Sequence, residues 1–275
     1  MEDIKMKPCI NGATTMPYTF EQDINSAGDA GFEGVEIWSA KLNKFLETHS
    51  VEAAKALLDK NNLQAAALCP WSFCFFGDIE GTAEAISRGA KLAQQLGSDT
   101  LLVCPDAPPS GISEAEAVKV AGTVGRRYAK ICQNYGVNLA LEPLGNHPFV
   151  PGPKQALAIV EAANHDNFGM MMDTFHYYKS GVPMEDIAAI PIEKLFIVHV
   201  NDCDNRPRNE LNDSHRLYTG LGIIPLEEML GILKRKGYQR FLSVEVFRQE
   251  YWNKPPEFIS KEAKQHLDEV LAKII

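Results

Sequence analysis

The chain is short of positive charge and has no long hydrophobic run. Lysine and arginine number 27 against 36 aspartate and glutamate residues, so the formal net charge is −9 at pH 7. A general nucleic-acid binder needs a basic face to meet phosphates, and this balance argues against one. No stretch of about 18 consecutive apolar residues occurs, which argues against a membrane span.

Cysteine is also scarce and shows no paired motif. The 275 residues contain six cysteines, and none forms a Cys-x-x-Cys pair. We interpret them as buried, reduced thiols of a cytoplasmic protein. The first ten residues, MEDIKMKPCI, lack the long apolar stretch of a secretory signal, which agrees with that location.

Short apolar runs alternate with helical patterns along the whole chain. The predicted strands are 7–11, 34–38, 63–68, 99–105, 137–143, 168–173, 195–200 and 241–246. The predicted helices are 19–30, 50–61, 82–96, 113–135, 153–163, 184–189, 225–236 and 260–274. Nearly continuous apolar strands indicate a parallel sheet buried on both faces. Eight such units with right-handed crossovers predict an α/β fold, a (β/α)8 TIM barrel that forms one domain over 1–275.

The ends of several helices can be read from single residues. Ser50 and Ser113 stand where helix N-caps belong, and acidic residues follow them. Glycines stand where helices should stop before the next strand, at Gly31, Gly97, Gly136 and Gly237. A doubly wound sheet would instead need a glycine-rich phosphate turn after the first strand, and the segment NGATT at 11–15 is not one.

Four predicted strands carry, at or near their C-terminal ends, a residue of a type that can bind a metal ion. These residues are Glu142, Asp173, His199 and Glu245, on the last four strands of the predicted barrel. Strand ends of a barrel meet at its C-terminal face, so neighbouring strands bring all four groups to one point. Three carboxylates and one imidazole form a mostly hard ligand set, which suits Mn²⁺, Mg²⁺ or Co²⁺ more than a structural Zn²⁺.

Several motifs carry a resemblance to a known family. They are LALE at 139–142, DTFH at 173–176, HVND at 199–202, DSHRLYTGLG at 213–222 and SVEVFRQEYW at 243–252. With these motifs the chain resembles the xylose isomerase-like, or endonuclease IV-like, TIM barrels over nearly its whole length. More closely, it resembles the inosose isomerases of inositol catabolism, which interconvert 2-keto-myo-inositol and its chiro keto isomer.

The resemblance implies one divalent metal ion as the cofactor, held by Glu142, Asp173, His199 and Glu245. Mn²⁺ is the expected ion, with Mg²⁺, Co²⁺ or Zn²⁺ as alternatives. The implied reaction isomerises an α-hydroxy ketone through an enediolate, by proton transfer between adjacent carbons. The resemblance assigns this acid and base work to Glu142 and Glu245. The implied partner is a small keto-polyol or keto-sugar, and assembly into a homo-oligomer stays open.

Polar residues near the strand ends are expected to bind the substrate or orient the ligands. His176 follows Asp173 closely and is expected to bond a substrate hydroxyl or to orient a ligand. Arg216 lies in the polar insertion 201–224 and is a candidate clamp on a substrate oxygen. Asp202, in the same insertion, is expected to orient a ligand or that arginine.

Other candidates near the site are aromatic residues and two weaker charged ones. Aromatic side chains after strands 2 and 3 are expected to wall the pocket and pack against ring C–H faces, with ordinary core packing as the alternative: Trp38, Trp71, Phe73 and Phe76. Glu36 in strand 2 and Arg248 past strand 8 are the weaker charged candidates.

Alternative functions differ in the residues that they would need. A metal-dependent lyase, dehydratase or epimerase of a keto-sugar would use the same ligands, although Pro148 stands where 3-epimerases of this family carry a second glutamate. An endonuclease IV-like nuclease is a remote alternative, because Cys69 and Cys104 stand where that enzyme has histidines. A catalytically idle binding protein would be expected to lose a ligand, and all four are present.

Overall fold

Eight parallel strands close into a barrel. The structure, a computed structural model, describes residues 5–274. Residues 1–4, part of the N-terminal segment interpreted above, and residue 275, the end of the predicted domain, lie outside it. The strands are β1 (Lys7–Asn11), β2 (Gly34–Trp38), β3 (Gln64–Trp71), β4 (Thr100–Val103), β5 (Asn138–Leu141), β6 (Phe168–Asp173), β7 (Leu195–Val200), β8 (Asp202–Cys203), β9 (Arg216–Leu217) and β10 (Phe241–Val244). All of these strands except β8 and β9 belong to the barrel. Each barrel strand pairs with its neighbours in parallel, and β1 closes the barrel against β10. The (β/α)8 prediction is confirmed.

Helices follow the strands and cover the barrel. They are α1 (Phe20–Asp29), α2 (Ser39–Leu46), α3 (Val51–Lys60), α4 (Ile79–Leu96), α5 (Glu114–Gln133), α6 (Pro153–Ala163), α7 (Thr174–Ser180), α8 (Met184–Ala189), α9 (Leu226–Arg235), α10 (Gln249–Trp252) and α11 (Pro256–Leu271). Short 3-10 turns lie at Ile192–Lys194, Arg208–Glu210 and Asp213–His215. Among residues 5–274, no helix combines the length and apolar character that a membrane crossing requires.

The segment 201–224 is ordered by a small antiparallel pair. Strands β8 and β9 pair through Asp202 with Leu217 and Cys203 with Arg216. The prediction of a polar insertion here missed these strands, because each has only two residues and no alternating pattern marks it. The pairing returns the chain to the barrel after a long excursion.

The predicted stop and start signals are confirmed. The glycines at 31, 97, 136 and 237 all have positive φ, between 67° and 84°, which only glycine adopts without strain. Ser50 and Ser113 cap α3 and α5 by accepting the backbone N–H of Ala53 and Glu116. Three helices were not predicted, α2, α7 and α10, and each of them has at most eight residues.

Successive side chains along each strand point to opposite faces of the sheet and pack in two different cores. Met170 and Met172 pack in the large core between strands and helices, whereas Met171 packs in a small core with Cys9 and Ile197. Side chains two apart in a strand share a face. Asp173 therefore lies on the inward face, at the C-terminal end of the barrel.

We predict that Gly97→Ala destabilises the protein by about 1 kcal/mol, because Gly97 ends α4 at φ 79° and an L side chain is strained there. The measurement is the free energy of unfolding from urea titration. Gly231→Ala is the matched control. It lies inside α9, where an added methyl meets only the flexible end of Arg235, so it should be neutral or stabilise by roughly 0.5–1 kcal/mol. Equal effects of the two changes would contradict the prediction.

Candidate active site and metal centre

The four predicted metal ligands converge at one end of the barrel. One ligand atom from each of Glu142, Asp173, His199 and Glu245 lies within 4.8 Å of all the others. Nδ1 of His199 lies 3.1 Å from Oε2 of Glu245, 3.5 Å from Oδ2 of Asp173 and 3.7 Å from Oε1 of Glu142. Residues that are far apart in sequence are therefore neighbours in the fold.

Strand register is what brings the four groups together. Asp173 and His199 are direct partners across β6 and β7. Glu142 and Glu245 each follow one residue after a strand, and their backbone N–H groups continue the ladder to the carbonyls of Val103 and Val200. Each side chain is thus held by regular backbone and not by a mobile loop.

Burial makes the charges of this cluster interact strongly. The exposed fraction is 5% for Glu142, 4% for Glu245, 1% for His199 and 0% for Asp173. Carboxylates out of water are costly unless positive groups or hydrogen bonds compensate them. The stability of the three buried carboxylates therefore depends on the positive groups around them.

Arg216 is the cation that the chain itself brings to the cluster. It is 1% exposed, and its Nη1 lies 2.7 Å from Oδ2 of Asp173 and 3.0 Å from Oε2 of Glu245. Its Nη2 donates to Asp213 and lies 3.2 Å from Nε2 of His176. The guanidinium that we predicted as a substrate clamp thus contacts two of the proposed ligands.

The pKa values separate the carboxylates. Burial raises the pKa of Glu142 to about 8, with Glu245 and Asp173 adding to the rise and His199 opposing it. For Asp173 burial acts in the same direction, but Arg216 outweighs it and holds the pKa well below its ordinary value. Two carboxyl groups of one cluster therefore prefer different protonation states.

The two histidines of the site differ in charge. Burial lowers the pKa of His176 to about 4, so its imidazole is neutral at pH 7. Burial also disfavours charge on His199, but the carboxylates of Glu245 and Glu36 prevail and raise its pKa well above the ordinary value. His176 can thus act as a neutral hydrogen-bonding group beside the cluster.

The donor set fits a divalent cation. Nδ1 of His199 is buried and has no hydrogen-bond partner among residues 5–274, although carboxylate oxygens face it. Nε2 of the same ring is bonded to Glu36 at 2.8 Å. One imidazole nitrogen and three carboxylates match the ligands of Mn²⁺, Mg²⁺, Co²⁺ or a catalytic Zn²⁺.

Asn201 is a site residue that the sequence analysis missed. Its Nδ2 lies 3.3 Å from Oδ1 of Asp173 and donates to the backbone carbonyl of Glu245 at 3.2 Å. Thr174 holds the other side of the amide, at 2.8 Å from Oδ1 of Asn201. The residue lies inside the HVND motif, but no pattern distinguished it from Asp202 beside it.

The structure corrects the role expected of Asp202. Its carboxylate accepts the backbone N–H groups of Cys203, Gly222 and Ile224 at 2.8–2.9 Å. Those bonds stabilise the 201–224 segment, and neither His199 nor Arg216 is among its hydrogen-bond partners within residues 5–274. The proposal that Asp202 binds the substrate stays a prediction.

The aromatic candidates divide between the site and the helical layer. Trp38 packs edge-on to Phe247 at 6.1 Å, and Phe247 lies under the guanidinium of Arg216 at 5.3 Å. Phe76 packs edge-on to Phe149, 5.6 Å away. Phe247 and Phe149 were not among the predicted residues.

Trp71 lies elsewhere. Its indole N–H donates to the carbonyl of Ala85 at 2.6 Å, and the ring covers Gly89 on α4. The ring lines a groove between α2 and α4 together with Leu46 and Leu92. It therefore packs in the helical layer, which agrees with the alternative of ordinary packing given for this residue above.

Cysteines stand beside the cluster where a nuclease-like site would need histidines. The thiol of Cys104 donates to Oε2 of Glu142 at 3.4 Å. Cys69 is 2% exposed and lies near the amide of Asn11. Burial raises both thiol pKa values well above the ordinary range, so neither is a ready thiolate ligand.

Comparison with known proteins identifies the family. A sequence model described as xylose isomerase-like TIM barrel matches residues 24–270, so the chain belongs to that family. The inosose isomerase of Halalkalibacterium halodurans is 33% identical, with 98% of this chain and 97% of that protein covered. The inosose isomerase of Bacillus velezensis is 32% identical, with 98% of each covered. A crystal structure of the IOLI protein with a zinc atom bound has a TM-score of 0.89 and 29% identity, covering 98% of this chain and 99% of that one.

We predict that Arg216→Gln destabilises the protein, dialysed against a chelator, by about 3–5 kcal/mol, because it removes the partner of two buried carboxylates. Urea unfolding measures the change. Arg127→Gln is the control: its side chain is 45% exposed and pairs with the exposed Glu80, so little loss is expected. A similar loss in both variants would mean that Arg216 does not compensate the cluster.

Proposed function

We propose that this protein is a metal-dependent isomerase of inosose-type α-hydroxy ketones, acting in inositol catabolism. The observation that carries the proposal is the convergence of Glu142, Asp173, His199 and Glu245 within 4.8 Å at one end of the barrel. The full-length similarity to inosose isomerases supports the choice of substrate class.

Those four residues would hold one divalent cation, and Mn²⁺ is the ion that we propose. The preference for Mn²⁺ follows from three oxygen ligands against one nitrogen, although the zinc-bound relative makes Zn²⁺ a competitor. When bound, the cation would polarise the substrate carbonyl and acidify the adjacent C–H.

The two glutamates are proposed to move the proton. Glu142 directs Oε1 towards His199 and Oε2 towards the thiol of Cys104, so its carboxyl group lies inside the cluster. Glu245 uses Oε2 for His199 and Arg216, and no hydrogen bond or ion pair of residues 5–274 involves its Oε1. That oxygen is available to a substrate C–H.

Neutral polar and aromatic side chains would receive the rest of the substrate. We propose that His176, with its pKa lowered to about 4 by burial, bonds a substrate hydroxyl without adding charge. Trp38, Phe76 and Phe247 supply faces against which a polyol ring can pack. Arg216 is already bonded to Asp173 and Glu245, which favours an uncharged keto-polyol over a phosphorylated sugar.

The experiment is proton exchange on 2-keto-myo-inositol with Mn²⁺ in D₂O, followed by NMR. We expect exchange at the carbon next to the ketone and a second, isomeric ketone. Glu142→Gln and Glu245→Gln should each slow both by roughly 10²–10⁴-fold, because each removes a proton acceptor. Chelator should abolish turnover, and Mn²⁺ should restore it.

Glu257→Gln, on the exposed face of α11, is the matched control and should exchange at the rate of the unaltered protein. Absence of exchange and product would overturn the assignment to inososes. Loss of water from the substrate, in place of isomerisation, would instead establish the lyase alternative, which uses the same base and cation.

A further inference from the structure

A glutamate lies inside the barrel where no charge is expected. Glu36 is the middle residue of β2, between Asn11 of β1 and Ala67 of β3 in the strand register, and it is 0% exposed. The inward-facing residues around it include small or apolar ones, such as Cys9, Ala67 and Ile197, together with the buried polar side chains of Asn11 and Ser243. A buried carboxylate in such surroundings is costly unless it is strongly paired.

The pairing of Glu36 is incomplete, which argues against a purely stabilising role. Within residues 5–274, Oε1 has no hydrogen-bond partner and His199 is the only ion-pair partner of the carboxylate. An unpaired buried acceptor has a cost in stability. An apolar residue of the same size would fill this position without that cost.

The one strong contact of Glu36 reaches across the barrel. Oε2 lies 2.8 Å from Nε2 of His199, which is 163 residues away in sequence. A carboxylate at that distance keeps the hydrogen of the ring on Nε2, because it can only accept. The other ring nitrogen, Nδ1, faces Glu142, Asp173 and Glu245, and it can bind a cation once it has given up its proton.

Cys69 does not provide a substitute for this contact. Its sulfur lies within 4.8 Å of a carboxylate oxygen of Glu36 and a ring nitrogen of His199. The amide of Asn11 already donates to that sulfur at 3.7 Å, and a neutral thiol is a weak acceptor. The tautomer of His199 therefore depends on Glu36.

We propose that Glu36 is a positioning residue, which holds His199 in the tautomer and orientation that present Nδ1 to the metal ion. The inference rests on the proposed function only in its metal site, not in its substrate. The proposal predicts that replacing Glu36 weakens metal binding even in a variant that folds normally.

The test compares Glu36→Leu, Glu36→Gln and Glu33→Gln, a control just before β2 whose side chain is 38% exposed. Zn²⁺ and Mn²⁺ affinities are measured by competition with a chelating dye, and circular dichroism and melting confirm folding. Leucine cannot accept the ring N–H, so affinity should fall by roughly 10–100-fold. Glutamine offers an amide oxygen and should recover most of that loss. The control should bind as the unaltered protein does.

A second measurement follows the ring itself. With ¹⁵N-labelled histidine and Zn²⁺ bound, the Nε2–H signal of His199 should be protected from solvent exchange in the unaltered protein and in Glu36→Gln. It should be lost or exchange rapidly in Glu36→Leu. Unchanged affinity and an unchanged signal in Glu36→Leu would overturn the positioning role.

His199→Ala separates this inference from the metal-site proposal. If His199→Ala loses the metal while Glu36→Leu binds it normally, the metal site stands and the role of Glu36 is wrong. If His199→Ala binds the metal as tightly as the unaltered protein, the proposed ligand set fails, and the role of Glu36 fails with it. If Glu36→Leu misfolds, Glu36→Gln and Glu36→Asp provide the test. The carboxylate of Glu36→Asp is one methylene too short to reach Nε2, so this variant should bind metal more weakly than Glu36→Gln.

Discussion

Burial of three carboxylates at one point is the constraint on which the rest of this site depends. Glu142, Asp173 and Glu245 are each at most 5% exposed, so water cannot solvate their charge. The chain meets this cost from within: the guanidinium of Arg216 and the imidazole of His199 both contact the carboxylate oxygens. Groups held this close are coupled, so a change in one alters the pKa of the others.

That compensation depends on a segment far from the barrel strands in sequence. Arg216 reaches the cluster because β9 pairs with β8, and Asp202 stabilises the segment by accepting the N–H groups of Gly222 and Ile224. Only glycine fits at position 222, since a Cβ there would lie 2.1 Å from the carbonyl oxygen of Cys203. The polar insertion is thus part of the electrostatics of the site and not only a connection.

The environments of the two glutamates differ although they share one cluster. Glu142 lies beside the neutral thiol of Cys104, and its pKa is raised by burial, whereas Glu245 shares the charge of Arg216. Unequal environments are how two carboxyl groups take different roles in one proton transfer. The same pair would serve isomerisation or elimination, since both begin with removal of a proton next to a ketone. The choice between these two outcomes depends on the substrate and on the groups that meet its hydroxyls.

The sequence by itself determined the barrel, because the 3.6-residue and 2-residue periods that mark helices and strands are local properties. It also determined that the four proposed ligands lie together, because strand ends in a parallel barrel share one face. Tertiary structure alone decided the partners of those ligands. Nothing near Glu36 or Asn201 in sequence indicates that one bonds His199 from across the barrel and the other bonds Asp173 from the adjacent strand. Tertiary structure also decided that Trp71 packs on α4, because the direction of a strand-end side chain depends on the helix that packs against it. Contacts between distant segments are set by the closure of the barrel, which no local pattern records.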